Sequence, residues 1–237
     1  MQTRPRPATT HPAAGRAGAI RAALLAAVGT VALAGCGLVP PVPVDDPLGL
    51  DGKTAAVSLG SASLTAAFAP AAVDGSGEVS FTFDDADWPD VPLSPGRLTN
   101  ELSIATATLD AGEAEAPETI ELSDIDVEVT LWQGAATYEA AAPDSRAAAK
   151  VDGAGPITLV RGACDADSCT YSYEGSVPAF GEVTFSGDAV ANAVKVITQA
   201  PQPNHVRAVV TLRADPDTLD GRTLTIEFDA ATGSVAL

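Results

Sequence analysis

The chain has 237 residues and a formal net charge of −18, with 31 acidic residues against 13 lysines and arginines. An excess of negative charge this large repels nucleic acid and anionic lipid headgroups, so we expect no nucleic-acid partner and no basic membrane-binding face. Hydrophobic residues make up 46% of the chain, which is enough for a core and argues against disorder over most of its length.

The first 35 residues have the pattern of a signal peptide. Arg4, Arg6, Arg16 and Arg21 precede an apolar, alanine-rich run at 22–34, and no acidic residue occurs in this leader. The run is too short to cross a bilayer as a helix, which takes about 20 residues, but it has the length of a signal-peptide core. Removal of the leader would leave 31 acidic and nine basic residues, a net charge of −22.

The apolar run ends in Leu33-Ala34-Gly35-Cys36, which resembles the lipobox of bacterial lipoprotein signal peptides. The resemblance implies cleavage before Cys36, a diacylglyceryl thioether on its sulfur, and a lipid-anchored place in the cell envelope outside the cytoplasm. Because Gly37 and not an aspartate follows, the family pattern implies the outer membrane in bacteria that have one. Plain secretion with cleavage near Ala34 is the alternative.

Residues 36–52 follow the leader and contain Pro40, Pro41, Pro43 and Pro47. Proline-rich chain favours extended, semi-rigid conformations, so we interpret the segment as a tether that holds the folded part off the membrane. A first edge strand is the alternative.

The rest of the chain is dominated by alternation of apolar and polar residues with a period of two, which predicts antiparallel strands with one buried face. Turns rich in glycine, proline and aspartate separate the strands. Helix-like composition occurs only at 140–150 and 188–198, and Pro143 interrupts the first of these. The clearest apolar strand positions are Val79, Phe81 and Phe83; Ile125, Val127, Val129 and Leu131; Val206, Ala208, Val210 and Leu212; and Leu224, Ile226 and Phe228.

Three short matches recur in order at offsets of 103 to 106 residues and suggest an internal duplication. They pair 77–81 with 181–185, 108–111 with 211–214, and 129–131 with 235–237. We therefore predict an all-β antiparallel sandwich, built as two tandem immunoglobulin-like units or as one internally duplicated sandwich. The units would span 53–134 and 155–237, with a linker at 135–154.

With Cys36 lipidated, Cys164 and Cys169 remain, and an exported chain permits their oxidation. Two strand-like runs flank the four polar residues between them, so we predict a hairpin closed by a cross-strand disulfide. The spacing differs from the C-x-x-C pattern of thiol oxidoreductases.

Catalytic patterns are weak in this sequence. His205 is the one histidine after the leader, and strand parity places it on the solvent side beside Arg207. A zinc site is not expected from one histidine and two cysteines. Trp132 follows Leu131 at the end of a predicted strand and could belong to the core or to its rim. Trp88 lies in an acidic loop, where it could cap the sandwich or contact a sugar or a cationic ligand.

Aspartate clusters are the recurrent chemical feature. They occur at 84–90, 124–126, 165–167 and 215–220, and aspartate is common in turns because its side chain bonds the backbone nearby. Loop aspartates also bind calcium, and Asp215, Asp217 and Asp220 with Gly221 resemble a calcium loop with one residue inserted relative to the EF-hand pattern. These three residues are the candidate metal ligands, and no other cofactor is expected.

These observations favour a non-enzymatic envelope lipoprotein that acts as a binding, scaffold or assembly module. Its expected partners are the membrane, through the anchor, and an envelope protein or glycan. The alternatives are a carbohydrate-active or other hydrolytic enzyme that uses its acidic loops, and a calcium-stabilised surface protein.

Overall fold

The structure is a computed structural model, and it describes residues 40–60, 72–83, 96–151, 155–175, 179–198, 203–230 and 232–236. The predicted signal peptide, Cys36, the acidic cluster at 84–90 and Trp88 lie outside the described residues.

Within the described residues the chain forms twelve strands and one α-helix, α1 (Asp188–Thr198). The strands are β1 (Val42–Asp45), β2 (Thr54–Gly60), β3 (Val73–Phe83), β4 (Arg97–Leu109), β5 (Thr119–Gln133), β6 (Arg146–Lys150), β7 (Ile157–Cys164), β8 (Cys169–Tyr173), β9 (Gly181–Ser186), β10 (Asn204–Asp215), β11 (Thr223–Asp229) and β12 (Thr232–Ala236).

All of these strands belong to one antiparallel pairing network, in the order β1-β12-β4-β11-β2-β3-β10-β5-β7-β8. Strand β8 pairs again with β4, so the path returns to one of its own members, while β9 pairs with β4 and β6 with β5. The predicted all-β, antiparallel sandwich class is confirmed. Each strand of the closed part of this path has a neighbour on both sides, whereas β1, β6 and β9 each pair with one strand of the described part of the chain.

The period-two pattern marks the inner face of the sheet correctly. Along β10, Val206, Ala208, Val210 and Leu212 are at most 3% exposed, while the residues between them are more accessible. The alternate apolar residues of β11 are fully buried, and those of β5 are at most 8% exposed. Burial of one apolar face per strand is the main stabilising contribution, at about 25 cal/mol per Å² of apolar surface.

The strands of the two predicted units pair with each other. Strand β3 pairs with β10, β2 with β11, and β4 with β9, β11 and β12. Residues 39–237 form one compact unit. Of the two architectures that the sequence left open, the pairing favours one sandwich over two tandem immunoglobulin-like units.

The repeated segments lie in two pairs of neighbouring strands, but their residues do not pair at equivalent positions. The first match lies in β3 and β9, the second in β4 and β10, and β3 pairs with β10 as β9 pairs with β4. Thr211 of β10 lies opposite Ser76 of β3, whereas its counterpart Thr108 lies opposite Thr170 of β8. The short sequence matches therefore do not mark equivalent pairing positions.

The tether prediction for 36–52 is wrong from Val42 onward. Val42–Asp45 is an edge strand that pairs with β12, and Leu48 and Leu50 are fully buried. Pro43 is tolerated because an edge strand leaves one side unpaired.

Asp46 turns the chain between β1 and β2. It has a positive φ of 35°, and its carboxylate accepts hydrogen bonds from the backbone N–H groups of Leu50 (2.9 Å) and Asp51 (3.2 Å). Desolvation by burial raises the pKa of Asp46, and these two backbone donors oppose that rise. The turn inserts Leu48 and Leu50 into the core, which fixes this segment to the sandwich.

The linker and helix predicted between 135 and 154 are corrected as well. Pro143–Ser145 is a single 3₁₀ turn, and the alanine-rich residues after it form β6, which pairs with β5. Ala147 and Ala149 are buried and Ala148 between them is exposed, as in a strand, so pairing with β5 outweighs the helical preference of alanine.

The second helix-like segment is a helix, as predicted. Helix α1 buries Val190, Ala193, Val196 and Ile197, a spacing that places them on one face. In the part of the chain that the structure describes, no helix has both the length and the hydropathy of a membrane span.

The strand registers define two ends of the sheet. At one, which we name the Val42 end, Val42 lies opposite Val235, Val235 opposite Leu98 near the start of β4, and Leu98 opposite Phe185. At the other, Leu109 closes β4 opposite Leu224.

Ser58, Ser76 and Thr211 follow across successive strands on the Leu109 side. Strands of 12 and 13 residues connect the two ends, which is a length of roughly 40 Å at about 3.3 Å per residue.

Candidate functional site

The predicted disulfide hairpin is present. Strand β7 ends at Cys164 and strand β8 begins at Cys169, and the two sulfur atoms are bonded at 2.01 Å. Asp165 closes the loop by accepting hydrogen bonds from the backbone N–H groups of Asp167 (2.9 Å) and Ser168 (2.7 Å). These donors lower the pKa of Asp165. The 165–167 cluster is therefore turn chemistry.

The candidate calcium ligands are spread over a strand end and a turn. Asp215 ends β10 at a cis bond to Pro216, Asp217 begins a 3₁₀ turn, and the backbone N–H of Asp220 donates to the Asp217 carbonyl at 3.0 Å. Among the described residues, no group of three or more His, Cys, Asp or Glu side chains is arranged to hold a metal ion.

His205 lies on the outer side of β10 with Arg207, as strand parity predicted, but it is only partly exposed. Its ring stacks on Trp132, with centroids 5.0 Å apart and an 18° angle between the planes. Trp132 is 5% exposed and donates from Nε1 to the carbonyl oxygen of Ala135 at 3.1 Å. This aromatic pair covers the sheet near the end of β5 and the start of β10.

A different group of residues forms an open cleft of about 540 Å³ on the outer face of the sheet. Four neighbouring strands supply it, β2, β3, β10 and β5, at the end of the sheet opposite Val42. Its polar lining residues are Ser58, Asp74, Ser76, Asp124, Thr211 and Arg213. We name this surface the polar cleft.

A β-bulge brings Asp124 into the polar cleft. The register between β5 and β10 shifts between Thr211 and Arg213, so β5 carries an extra residue at this point. Asp124 has a φ of 47°, the left-handed region that aspartate tolerates better than most residues. Bulges re-aim side chains, and here the bulge directs a carboxylate toward Arg213.

Two glycines of β3 allow close approach of β2 beneath the polar cleft. A Cβ on Gly75 would lie 2.7 Å from Cδ2 of Leu59, and a Cβ on Gly77 would lie 2.5 Å from the Ala56 carbonyl oxygen. A side chain at position 77 would push the two strands apart, whereas one at position 75 would displace the core side chains of Leu59 and Val57. The run Asp74-Gly75-Ser76-Gly77 thus presents its polar residues outward over a tight strand contact.

Arg213 lies between the two carboxylates. Its Nε is 3.7 Å from Asp74 Oδ1, and its Nη1 is 3.6 Å from Asp124 Oδ2. At these distances the charged groups form ion pairs, but the atoms are too far apart for a hydrogen bond. Nε is buried and has no hydrogen-bond partner among the described residues. Six residues earlier on β10, Nε of Arg207 donates a 3.0 Å hydrogen bond to Glu78 of β3.

The polar cleft thus holds a guanidinium between two carboxylates, with three hydroxyl groups around it. This set can donate and accept hydrogen bonds. The sequence singled out the 124–126 aspartates as one cluster, but the two separate here, because Asp124 faces Arg213 while Asp126 pairs with Lys150 at 3.3 Å. No local sequence pattern predicted that Asp74 and Arg213 belong to a site, because only the pairing of β3 with β10 makes them neighbours.

Comparison of the chain with protein-family models, with curated proteins and with solved structures finds no match. The functional argument therefore depends on the residues of this chain.

Proposed function

We propose that this protein is a non-enzymatic lipoprotein of the cell envelope, anchored through Cys36, that presents the polar cleft to a ligand outside the membrane. The observation that carries the proposal is the position of the polar cleft at the end of the sheet opposite Val42, which begins β1, the first strand of the described residues. A binding site at that end stays accessible when the other end is held at a lipid surface.

The length of chain between Cys36 and the sheet supports a close attachment. Five residues separate Cys36 from Val42, and a chain of that length reaches about 20 Å at most. The folded unit is then held near the bilayer by its Val42 end, because β12 pairs with β1 and prevents a longer tether. The lipid supplies the attachment, at about 0.8 kcal/mol for each buried CH₂.

The chemistry of the polar cleft supports binding as the activity. Arg213 and its flanking carboxylates form a fixed hydrogen-bonding surface, and the cleft volume falls within the range of about 300–1,000 Å³ common for small-molecule sites. Three serine and threonine hydroxyls extend that surface across β2, β3 and β10.

Anchoring is tested by metabolic labelling with a fatty acid, followed by detergent phase partition. We expect the unaltered protein to label and to enter the detergent phase, and Cys36→Ser to do neither. Labelling of Cys36→Ser equal to that of the unaltered protein would refute the anchor.

Orientation is tested by energy transfer from single introduced cysteines to an acceptor dye in the bilayer. Ser186→Cys lies at the Val42 end and Ser58→Cys lies in the polar cleft, and both serines are exposed. The other cysteines are expected to be blocked by the lipid and the disulfide. We expect much stronger transfer from position 186, and equal transfer from both positions would contradict the orientation.

A further inference from the structure

We infer that the polar cleft binds a neutral, hydroxyl-rich ligand, which for an envelope protein means a glycan without charged groups. The inference rests on the proposed function in taking the polar cleft as the binding site, but it does not depend on the anchor. It follows from the charge, the geometry and the donor and acceptor set of the cleft.

The charges of the polar cleft disfavour ligands of either sign. A cationic group that approaches Asp74 or Asp124 also meets the guanidinium of Arg213, which lies within 4 Å of both carboxylates. An anionic group that approaches Arg213 meets two carboxylates and the field of a chain with a net charge of −18. A neutral ligand avoids both repulsions, since like-charge contacts at an interface oppose binding.

The hydrogen-bonding capacity of the cleft suits hydroxyl groups. Arg213 only donates and the two carboxylates only accept, and neither pair is close enough for a hydrogen bond. A ligand hydroxyl both accepts and donates. Two adjacent hydroxyls of a sugar ring can therefore accept from the guanidinium and donate to Asp74 and Asp124 at the same time, while Ser58, Ser76 and Thr211 take further hydroxyls.

The backbone conformation and the strand registers hold the side chains of the polar cleft in place. Asp124 keeps a left-handed conformation that costs a non-glycine residue energy, and the register shift against β10 is what holds it there. Unfavourable backbone conformations of this kind concentrate at binding and active sites. The pairing of β10 with β3 holds Arg213 opposite Asp74, so the donor and both acceptors are fixed before a ligand arrives. Preorganised groups lose less entropy on binding.

The inference is tested with an immobilised panel of neutral, amino and acidic oligosaccharides, probed with the purified full-length protein. We expect binding to one or more neutral oligosaccharides, and weaker or no binding to their charged counterparts. The preferred neutral oligosaccharide is then titrated against three variants by calorimetry.

Arg213→Gln should weaken this affinity at least about tenfold, because a hydrogen bond from a charged donor is lost. Asp124→Ala should weaken it similarly. Arg207→Gln is the matched control, since Arg207 lies on the same strand, pairs with the same neighbouring strand and is similarly exposed, but lies outside the polar cleft. We expect its affinity to stay within about twofold of the unaltered protein.

Three outcomes would overturn the inference: no oligosaccharide bound, binding restricted to charged oligosaccharides, or equal weakening by Arg213→Gln and Arg207→Gln. Circular dichroism of each variant separates a lost contact from lost folding. A failed glycan panel with intact lipid labelling would reject the ligand class alone, whereas lost labelling would reject the anchor.

Discussion

Tyr171 is 2% exposed, and its hydroxyl donates a hydrogen bond of 2.7 Å to the carbonyl oxygen of Pro117. Burial raises the pKa of this phenol above its ordinary value of 10.0. The folded protein therefore stabilises the neutral form. Tyr171 therefore contributes fully to the free energy of unfolding at pH values below its ordinary pKa. This contribution is lost as the pH rises through the raised pKa of the folded state.

We predict that Tyr171→Phe lowers the free energy of unfolding at pH 7 by about 1–3 kcal/mol, because the Pro117 carbonyl loses its partner. The variant should also lose less stability than the unaltered protein between pH 9 and the alkaline limit of folding. Denaturant titrations at a series of pH values measure both effects. Tyr173→Phe is the control, since Tyr173 is only partly buried, and an equal alkaline loss in Tyr171→Phe and the unaltered protein would contradict the assignment.

At the scale of elements, the β7–β8 hairpin is held by two independent means. The Cys164–Cys169 disulfide joins the strands, and Asp165 fixes the loop between them through backbone hydrogen bonds. Strand β8 also pairs with β4, so this hairpin closes the pairing path of the sheet.

We predict that neither Cys164 nor Cys169 reacts with an alkylating reagent until a reductant is added. Reduction should lower the free energy of unfolding by about 2 kcal/mol, because a cross-link over so short a loop restricts the unfolded chain only modestly. A double Cys164→Ser, Cys169→Ser variant should show the same loss and no further effect of reductant. Stoichiometric alkylation without reductant would disprove the bond.

At the scale of the whole molecule, acidic residues outnumber basic ones by 31 to 13. Surface ion pairs such as Lys150–Asp126 and Arg97–Glu182 involve largely exposed side chains, and pairs of this kind contribute at most about 1 kcal/mol each. One-to-one pairing of 31 acidic with 13 basic residues would leave more than half of the carboxylates without a basic partner. Net repulsion therefore outweighs the ion pairs, and salt should stabilise the fold by screening it.

We predict that raising sodium chloride from 0.05 to 0.5 M increases the melting temperature by about 2–4 °C, which corresponds to roughly 1 kcal/mol for a domain of this size. Calcium chloride at matched ionic strength should give a similar increase, since Asp217 and Asp220 are exposed on a turn and attract counterions without a fixed geometry. A much larger increase with calcium that Asp217→Asn removes would instead establish a calcium site at Asp215, Asp217 and Asp220.

The all-β class and the structure of short segments follow from local patterns in the sequence. Alternation along 206–212 and 224–228 identified the inner face of the sheet, because side chains on a strand point to opposite sides in turn. Local patterns also predicted the hairpin at Cys164 and Cys169 and the helix at 188–198, because each depends on residues that are close along the chain.

Features that depend on which strands become neighbours arise only when the sheet assembles. Alanines at 147 and 149 became strand residues because β5 offered a partner, and Val42–Asp45 joined the sheet because β12 did. The polar cleft has the same origin, since Asp74, Asp124 and Arg213 are far apart in sequence and meet only through the registers of β3, β10 and β5. Strand pairing is set by the burial of the whole apolar face, and that information is not contained in any local pattern.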